Sequence, residues 1–341
     1  MRRPDASTIA RDLRFLLGIV RGRPFSLLVQ ITNRCNMRCG FCGFWRDPAP
    51  PREELDLPTY ARLSAELSEL GTFLVSIEGG EPLLRADLEE IIAAFARHHL
   101  TVLFTNGSHV DRASAASLFR AGIGQVCVSI DHLEEAEHDE DRGFEGAAKR
   151  AWEALIWLRD AAPRGGRQVA VMTVVHDGNL HALEPLLERT AALGVGHQLT
   201  LLSQKGAMRA GGRRSLPGSE AGPILRELFR RHRHLRYLGD YLEGVGRYLD
   251  GEAIPSCRAG LQGFNLDHRG ELSPCIEWLD RSVGNVRDQS VRALLERMKA
   301  LRPAIATCDD CFTACRGIQD ALGGGAKPSA LLDLMTRMRT Y

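Results

Sequence analysis

Cys35, Cys39 and Cys42 stand close together in the segment Cys35-Asn-Met-Arg-Cys39-Gly-Phe-Cys42, spaced C-x3-C-x2-C with the aromatic Phe41 just before the third cysteine. Three neighbouring thiolates can hold three irons of a cubane iron–sulfur cluster, which needs four ligands. The fourth iron is then open and can bind and activate a further molecule. Three cysteines with a remote fourth ligand could also make a zinc site, but this spacing suits zinc poorly. A second array lies near the other end of the chain: Cys257 and Cys275 separated by seventeen residues, with Gly270 five residues before Cys275, and then Cys308-x2-Cys311-x3-Cys315. Here zinc is a stronger rival, because C-x2-C serves it well.

Other residues have types and spacing that could assist such a centre. In Glu78-Gly79-Gly80-Glu81-Pro82 the two glycines let backbone approach a ligand closely, and Glu81 offers an acceptor for an ammonium group. Residues 125–131 alternate strictly, so Cys127, Ser129 and Asp131 share one face of a strand and Val126, Val128 and Ile130 the other. Cys127 reads as a small buried residue. Glu277, two residues after Cys275, is placed to act as a base, with a surface carboxylate as the plain alternative. The basic run 226–236 reads as a solvated helical face rather than an anion cradle. His176, His181 and His268 have no partnered spacing.

These residues need a frame. Strand-like runs at 25–31, 72–77, 100–105, 125–130, 168–175 and 198–202 alternate with helical patterns at 57–70, 88–98, 112–121, 146–161 and 180–192. Such alternation implies a parallel sheet with crossover helices. Six units are too few for a closed eight-fold barrel, and periodicity alone leaves a doubly wound open sheet equally possible. The cysteine loop follows the first strand, Gly79 and Gly80 the second, Asn106 the third, and Ser129 and Asp131 close the fourth. All stand at carboxyl ends of strands, where α/β folds build their sites. Residues 203–223, rich in Gly, Arg and Ser, read as a loop. Helical stretches follow at 224–238 and 241–249, then a loop-rich segment with five cysteines, then a closing helix at 330–339.

At 341 residues the chain can bury a full core, and 44% hydrophobic and 26% charged residues are ordinary for a globular protein. A net charge of +1 gives no basic field for nucleic acid. No apolar run is long enough to span a membrane, and the basic N-terminus lacks the apolar stretch of a signal peptide. Nine cysteines, eight of them grouped, argue for metal rather than disulfides and for a reducing cytoplasm.

The first cysteine loop resembles the cluster loop of the radical S-adenosylmethionine (SAM) superfamily, and residues 255–317 resemble its auxiliary-cluster module, SPASM, in the shortened "twitch" form. The resemblance covers roughly residues 25–317. It implies a partial (β/α)6 TIM-like barrel with a small loop-rich domain after it. The implied layout is an N-terminal helical extension (1–24), a core (25–215), bridging helices (216–254), the auxiliary-cluster domain (255–320) and a C-terminal helix (321–341). It further implies a 4Fe–4S cluster on Cys35, Cys39 and Cys42, with SAM on its open iron. Phe41, Gly79, Gly80, Glu81, Asn106, Ser129 and Arg142 are implied to contact SAM, the last through the segment His138-Asp-Glu-Asp-Arg142-Gly143, which is similar to the family's HD-x-x-R-G. Asp131 and Glu277 would lie near the substrate. Cys257, Cys275, Cys308, Cys311 and Cys315 are candidate ligands of one auxiliary 4Fe–4S cluster: 257 and 275 with two of the other three, the fifth spare unless a second cluster exists.

The implied activity is reductive cleavage of SAM to a 5′-deoxyadenosyl radical, hydrogen abstraction and an oxidative modification, fed by a flavodoxin- or ferredoxin-type donor. The substrate is either a ribosomally made peptide or a small metabolite such as an aminocyclitol or sugar, which would be dehydrogenated or epimerised. Similar peptide maturases often carry an N-terminal leader-binding domain, and the 34 residues before Cys35 leave no room for one, which assigns that function to a separate protein or tilts the reading toward the small molecule. An iron–sulfur scaffold or redox sensor is the non-enzymatic alternative.

Overall fold

The computed structural model describes residues 6–203, 216, 218–236, 239–323, 327–330 and 332. Among these the strands are β1 (Ser26–Thr32), β2 (Leu74–Gly79), β3 (Leu100–Thr105), β4 (Gln125–Ser129), β5 (Val169–Val175), β6 (Gly196–Leu201), β7 (Gly263–Leu266) and β8 (Leu272–Ser273). The helices are α1 (Ala6–Val20), α2 (Leu57–Leu70), α3 (Leu88–Ala96), α4 (Arg112–Arg120), α5 (Glu135–Arg142), α6 (Ala147–Ala161), α7 (Leu183–Ala192), α8 (Gly218–Arg231), α9 (Gly239–Leu249), α10 (Val291–Met298), α11 (Arg302–Ala306) and α12 (Ala314–Leu322). The six strands expected from the sequence lie within two residues of β1–β6.

Local chemistry sets the helix starts. Asp56 accepts the Thr59 amide at the head of α2, where Pro58 occupies the first turn. Asp111 and Ser114 close a reciprocal capping box on α4.

One sheet runs β6-β5-β4-β3-β2-β1-β7-β8. β1 through β7 are mutually parallel and β8 is antiparallel to β7. The strictly sequential order of β1–β6 is that of a barrel left open, so the doubly wound alternative falls. Each strand alternates. Leu27, Val29 and Ile31 of β1, Val75 and Ile77 of β2, Leu103 of β3 and Val126 and Val128 of β4 pack against Leu63, Leu67, Ile91, Phe95, Leu118 and Leu155 of the covering helices. Their neighbours in sequence, including Leu28, Ser76, Phe104, Ser129, Val174 and Thr200, face the concave side and line a cavity. Cys127 lies on that concave face too, buried with Val102 and Ala170, as the alternation required.

The C-terminal module closes the open side. β7 pairs with β1, with the buried Gln30 Nε2 donating to Asn265 Oδ1 at 3.0 Å. At the far edge, Ala314 N at the head of α12 donates to Thr200 Oγ1 of β6 at 3.1 Å. Tyr241 of α9 stacks on Phe312 (ring centroids 5.5 Å apart) and donates its hydroxyl to Phe312 O while accepting from Leu201 N. The module therefore grips both edges of the barrel sheet.

Two expectations need correction. The stretch 218–223, taken as loop, belongs to α8 despite Pro223. Gly218 and Gly222 lie against Gly246 of α9 too closely for any side chain, and that close packing holds the helix where its propensity does not. The charged segment around His138, given no element from the sequence, is the helix α5. The loop-rich reading of the C-terminal segment missed β7, β8 and α10–α12. The Gly/Arg/Ser-rich residues 204–215 and most of the expected helix 330–339 lie outside the described residues.

Alternation gives a direct test on β2. Ile77→Ala should destabilise the iron-free chain by about 2–5 kcal/mol in urea unfolding, because it empties a packed site. Ser76→Ala, one residue away on the concave face, should cost no more than about 1 kcal/mol. Equal costs would contradict the assignment of faces.

Candidate functional site

The cavity of about 300 Å³ on the concave face is walled by Cys35, Cys39 and Cys42, by Met37, Phe41, Phe44 and Trp45 of the same loop, and by Glu78, Gly79, Gly80, Asn106, Ser129 and Arg142 from the ends of β2, β3, β4 and α5. Glu277, Thr313 and Cys315 of the C-terminal module complete it.

The cysteine loop is tied at both ends. Asn33 donates to Asp47 O and accepts from Ala49 N, bracketing the segment. Arg38 N and Gly40 N donate to the carbonyls of Arg142 and Asp141 at the end of α5. Trp45 Nε1 donates to Cys39 O. At the loop's root the buried Glu54 accepts from Thr32 Oγ1 and from Arg34 Nε and Nη2, with the Arg85 guanidinium 3.8 Å away.

Gly79 and Gly80 do structural work. A Cβ on Gly79 would fall 2.1 Å from Thr32 O, and one on Gly80 2.1 Å from Arg34 O. Gly79 also has φ +130°, a region that favours glycine. Their absent side chains let Gly80 N and Glu81 N hydrogen-bond the Thr32 and Arg34 carbonyls, which seats the loop after β1 against the end of β2.

Two expected ligand-facing carboxylates are not on the cavity wall. Glu81 is fully buried and accepts from Leu83 N, Thr105 Oγ1 and Asn106 N. Burial pushes its carboxyl pKa up against those bonds. Glu81 fastens the ends of β2 and β3, and the carboxylate that faces the cavity is Glu78. Asp131 lies beyond the end of β4, where alternation no longer applies. It accepts from Arg142 Nη2 at 2.6 Å and from Val174 N at 2.8 Å. Burial disfavours its charge, yet Arg142 and then His138 hold its pKa below the ordinary range. Asp131 thus positions Arg142 instead of meeting substrate.

Arg142 is the charged hub. Its guanidinium sits over the Phe41 ring at 5.6 Å, Nη1 lies 4.0 Å from Cys39 Sγ, and its buried Nε has no hydrogen-bond partner. An unsatisfied buried donor at a cavity wall is costly unless a ligand accepts from it. Asn106 lines the cavity and donates to Asn36 Oδ1 in the cysteine loop, while Ser129 and Phe41 take the wall positions expected of them.

Sequence reasoning missed a buried network behind this hub. His132 Nε2 lies 2.7 Å and His176 Nε2 3.2 Å from Asp141 Oδ2, and His132 Nδ1 lies 3.2 Å from Glu137. These atoms are close enough to suggest a metal site. His132 Nε2 is within hydrogen-bond geometry of Asp141 Oδ2, whereas His176 accepts from Gly178 N through Nδ1 and its buried Nε2 makes no hydrogen bond. His176, which showed no partnered spacing, packs its ring against His132 beside the end of α5.

The donor sets fit iron–sulfur clusters. Burial raises the Cys35 pKa to about 11, with Glu81 and the neighbouring Cys39 and Cys42 adding to it. Burial likewise raises Cys39, against Arg142. Two thiols that resist ionisation, beside the third of Cys42, are suited to a polycationic centre that supplies the missing positive charge.

The five C-terminal thiols also gather. Cys257, Cys275 and Cys308 share an apolar cluster with Ala259 and Ile305, and Thr313 Oγ1 lies 4.0 Å from Cys311 Sγ and 3.0 Å from Cys315 Sγ. The other four all lie within electrostatic reach of Cys257. Two arginines with no sequence signal brace the array. Arg316 donates to the carbonyls of Pro255, Cys308 and Cys311, and Arg302 to those of Cys257 and Ala259.

Comparison with known proteins agrees with this geometry. Residues 29–189 match the family model of the radical SAM superfamily, and residues 257–312 match that of an iron–sulfur cluster-binding domain, SPASM. A PqqA peptide cyclase of Granulibacter bethesdensis is 30% identical over 172 residues, which is 50% of this chain and 45% of that protein. The chain thus spans about half the length of such relatives. An AdoMet-dependent heme synthase of Oleidesulfovibrio alaskensis is 25% identical over 290 residues, 78% of this chain and 74% of the relative. Among solved structures, Streptococcus suis SuiB bound to precursor peptide SuiA superposes with a TM-score of 0.67 at 13% identity, covering 95% of this chain and 79% of that one. The protein anSMEcpe with bound AdoMet and the Cp18Cys peptide gives 0.63 at 18% identity, covering 90% and 92%. At those identities the structures speak to fold. The two family matches, falling on the two cysteine arrays, show a radical SAM domain over residues 29–189 and an iron–sulfur cluster-binding domain over residues 257–312.

Proposed function

We propose that this chain cleaves SAM reductively and uses the radical to abstract a hydrogen atom from a peptide, which it then modifies oxidatively. The observation that carries the reading is the unpartnered Arg142 Nε on the wall that also holds Cys35, Cys39 and Cys42. Cys35, Cys39 and Cys42 would hold a cluster, which would supply the electron needed to split the sulfonium of SAM into methionine and a 5′-deoxyadenosyl radical.

The chain's own residues do the rest. Arg142, held by Asp131, takes the SAM carboxylate through Nε, where its planar fork is suited to such a group. Gly79 and Gly80 bring backbone to the cavity where the ammonium can bond, and Ser129 offers a hydroxyl. Phe41, Phe44 and Trp45 exclude water around the reacting atoms. Glu277 is buried on the opposite wall and accepts the proton that a two-electron oxidation of substrate releases.

The peptide is favoured because relatives and neighbours of this fold include a peptide cyclase and proteins seen with bound peptides. The charges also disfavour an anionic small molecule. Among the described wall residues Glu78 and Glu277 face the cavity, and the one guanidinium there, Arg142, is neutralised by Asp131. A small aminocyclitol or sugar is the second reading. A reducing cytoplasm and a flavodoxin- or ferredoxin-type donor complete the proposal. All nine cysteines are free, and among the described residues no helix is long and apolar enough to cross a membrane.

Anaerobically reconstituted protein given SAM and dithionite should release 5′-deoxyadenosine, detected by chromatography. The triple variant Cys35→Ala, Cys39→Ala, Cys42→Ala should lose this product while keeping about four irons per chain. An intact wild-type protein that makes no 5′-deoxyadenosine would favour the scaffold or sensor reading, and a triple variant with no iron would remove the auxiliary cluster.

Arg142→Lys keeps the charge beside Asp131 but loses the fork. It should weaken SAM binding by roughly tenfold or more, from the loss of a charge-assisted hydrogen bond of about 1.5–3 kcal/mol. Iron content should stay unchanged. Unaltered affinity in a calorimetric titration would remove Arg142 from the SAM site.

A further inference from the structure

The second array holds one more thiol than a four-ligand cluster takes, and the structure sets one of the five apart. Cys315 lines the cavity beneath the first cysteine loop, whereas Cys257, Cys275, Cys308 and Cys311 do not. Cys42 and Cys315 flank one apolar cluster formed by Leu28, Phe44 and Ile276. Cys257, Cys275 and Cys308 pack around Ala259 and Ile305 on the other side. The match to the iron–sulfur cluster-binding domain ends at residue 312, so it takes in the first four cysteines and stops short of the fifth. A second observation points to a ligand in this cavity: Arg142 on its wall is 6% exposed and its Nε has no hydrogen-bond partner.

We infer that Cys315 is a cavity thiol, free of the auxiliary cluster, that donates a hydrogen atom to a carbon radical formed in the cavity. The inference rests on the radical SAM reading above. In the step, the S–H bond of Cys315 breaks homolytically and a C–H bond forms at the radical carbon, leaving a sulfur-centred radical on Cys315. An S–H bond is weaker than most C–H bonds, so the transfer runs downhill. A one-electron carrier of the iron–sulfur or flavin class, or dithionite in the assay, supplies one electron and water one proton to restore the thiol. A substrate that receives hydrogen in this way is changed in configuration and not oxidised. For a substrate radical that Cys315 reaches, the outcome is therefore inversion at a C–H centre in place of the oxidative outcome proposed above, and only the radical-generating part of that proposal is assumed. Thr313 Oγ1, 3.0 Å from Cys315 Sγ, holds the thiol in place.

Two measurements on the cluster-loaded protein test this. The first is anaerobic alkylation with iodoacetamide followed by peptide mass spectrometry. Cys315 should be modified and SAM should protect it, while Cys257, Cys275, Cys308 and Cys311 stay unmodified. Alkylation of Cys308 with Cys315 protected overturns the assignment.

The second uses SAM and dithionite in D2O without substrate, so that the radical of SAM itself takes deuterium from the exchanged thiol. The deuterated fraction of the 5′-deoxyadenosine should fall several-fold in Cys315→Ala and Cys315→Ser. Both variants should keep wild-type iron content, whereas Cys308→Ser should lose iron. An unchanged deuterated fraction, or loss of iron from the Cys315 variants, overturns the inference. Because the isotope ratio is read on whatever 5′-deoxyadenosine forms, it is independent of yield. Failure of wild-type protein to form any would instead strike the function proposed above, and the alkylation result would still stand or fall alone.

Discussion

The buried ion pair between Arg142 and Asp131 is the interaction on which the site depends. A guanidinium and a carboxylate removed from water are tolerable only together, and stranding either would cost several kcal/mol. The pair lies where four segments meet: the end of β4 supplies Asp131, α5 supplies Arg142, the end of β5 supplies the Val174 amide, and the cysteine loop supplies the Phe41 ring. Each must be in place for the charges to be satisfied. With Nη2 committed to Asp131, the remaining face of the fork can point only toward the thiols. The contact of His132 with Asp141 stiffens the same corner from behind, since Asp141 also gives its carbonyl to Gly40 N of the cysteine loop.

An open six-stranded barrel sheet would by itself expose its concave face. The C-terminal module supplies the missing wall by pairing β7 with β1 and setting the head of α12 against β6. That closure makes two distant cysteine arrays neighbours of one cavity. Its attachment is partly polar, through Gln30, Asn265 and Ser273, and such buried hydrogen bonds fix register more firmly than apolar contact alone. The stacked Tyr241 and Phe312 then anchor the bridging helices to the strand that carries Thr200.

Much of this was legible in the chain because its signals are local. Hydrophobic alternation marked β1–β6, and cysteine spacing marked both arrays. The concurrence of Gly79, Asn106 and Ser129 at strand ends marked the rim. What escaped depended on tertiary context. β7 and β8 are four and two residues long, too short for a periodic pattern, and exist because β1 offers an edge. α5 is almost wholly charged, and it forms because its inner face is recruited by the Asp131 and Asp141 networks. Glu81 was expected to face a ligand and Glu78 was passed over, since sequence cannot tell which of two carboxylates flanking a glycine pair turns inward. Asp131 was assigned by extending an alternation past the last residue that obeys it.

The wall opposite the first cysteine loop carries two groups that would send a substrate radical along different routes. Glu277 can take a proton, which favours oxidation once the remaining electron departs, and Cys315 can give back a hydrogen atom, which returns the substrate at its original oxidation level. Both are on the cavity wall and both come from the module that closes the barrel. Which route prevails is therefore a matter of placement: whether the radical carbon lies nearer a carboxylate oxygen or a sulfur. On the proposed chemistry the barrel would fix where the radical is generated, through Arg142 and the three-cysteine loop, and the closing module would fix where the substrate meets it. The outcome is consequently set by the register of β7 on β1 and by the seating of α12 on β6, since these determine how far Glu277 and Cys315 stand from the radical carbon.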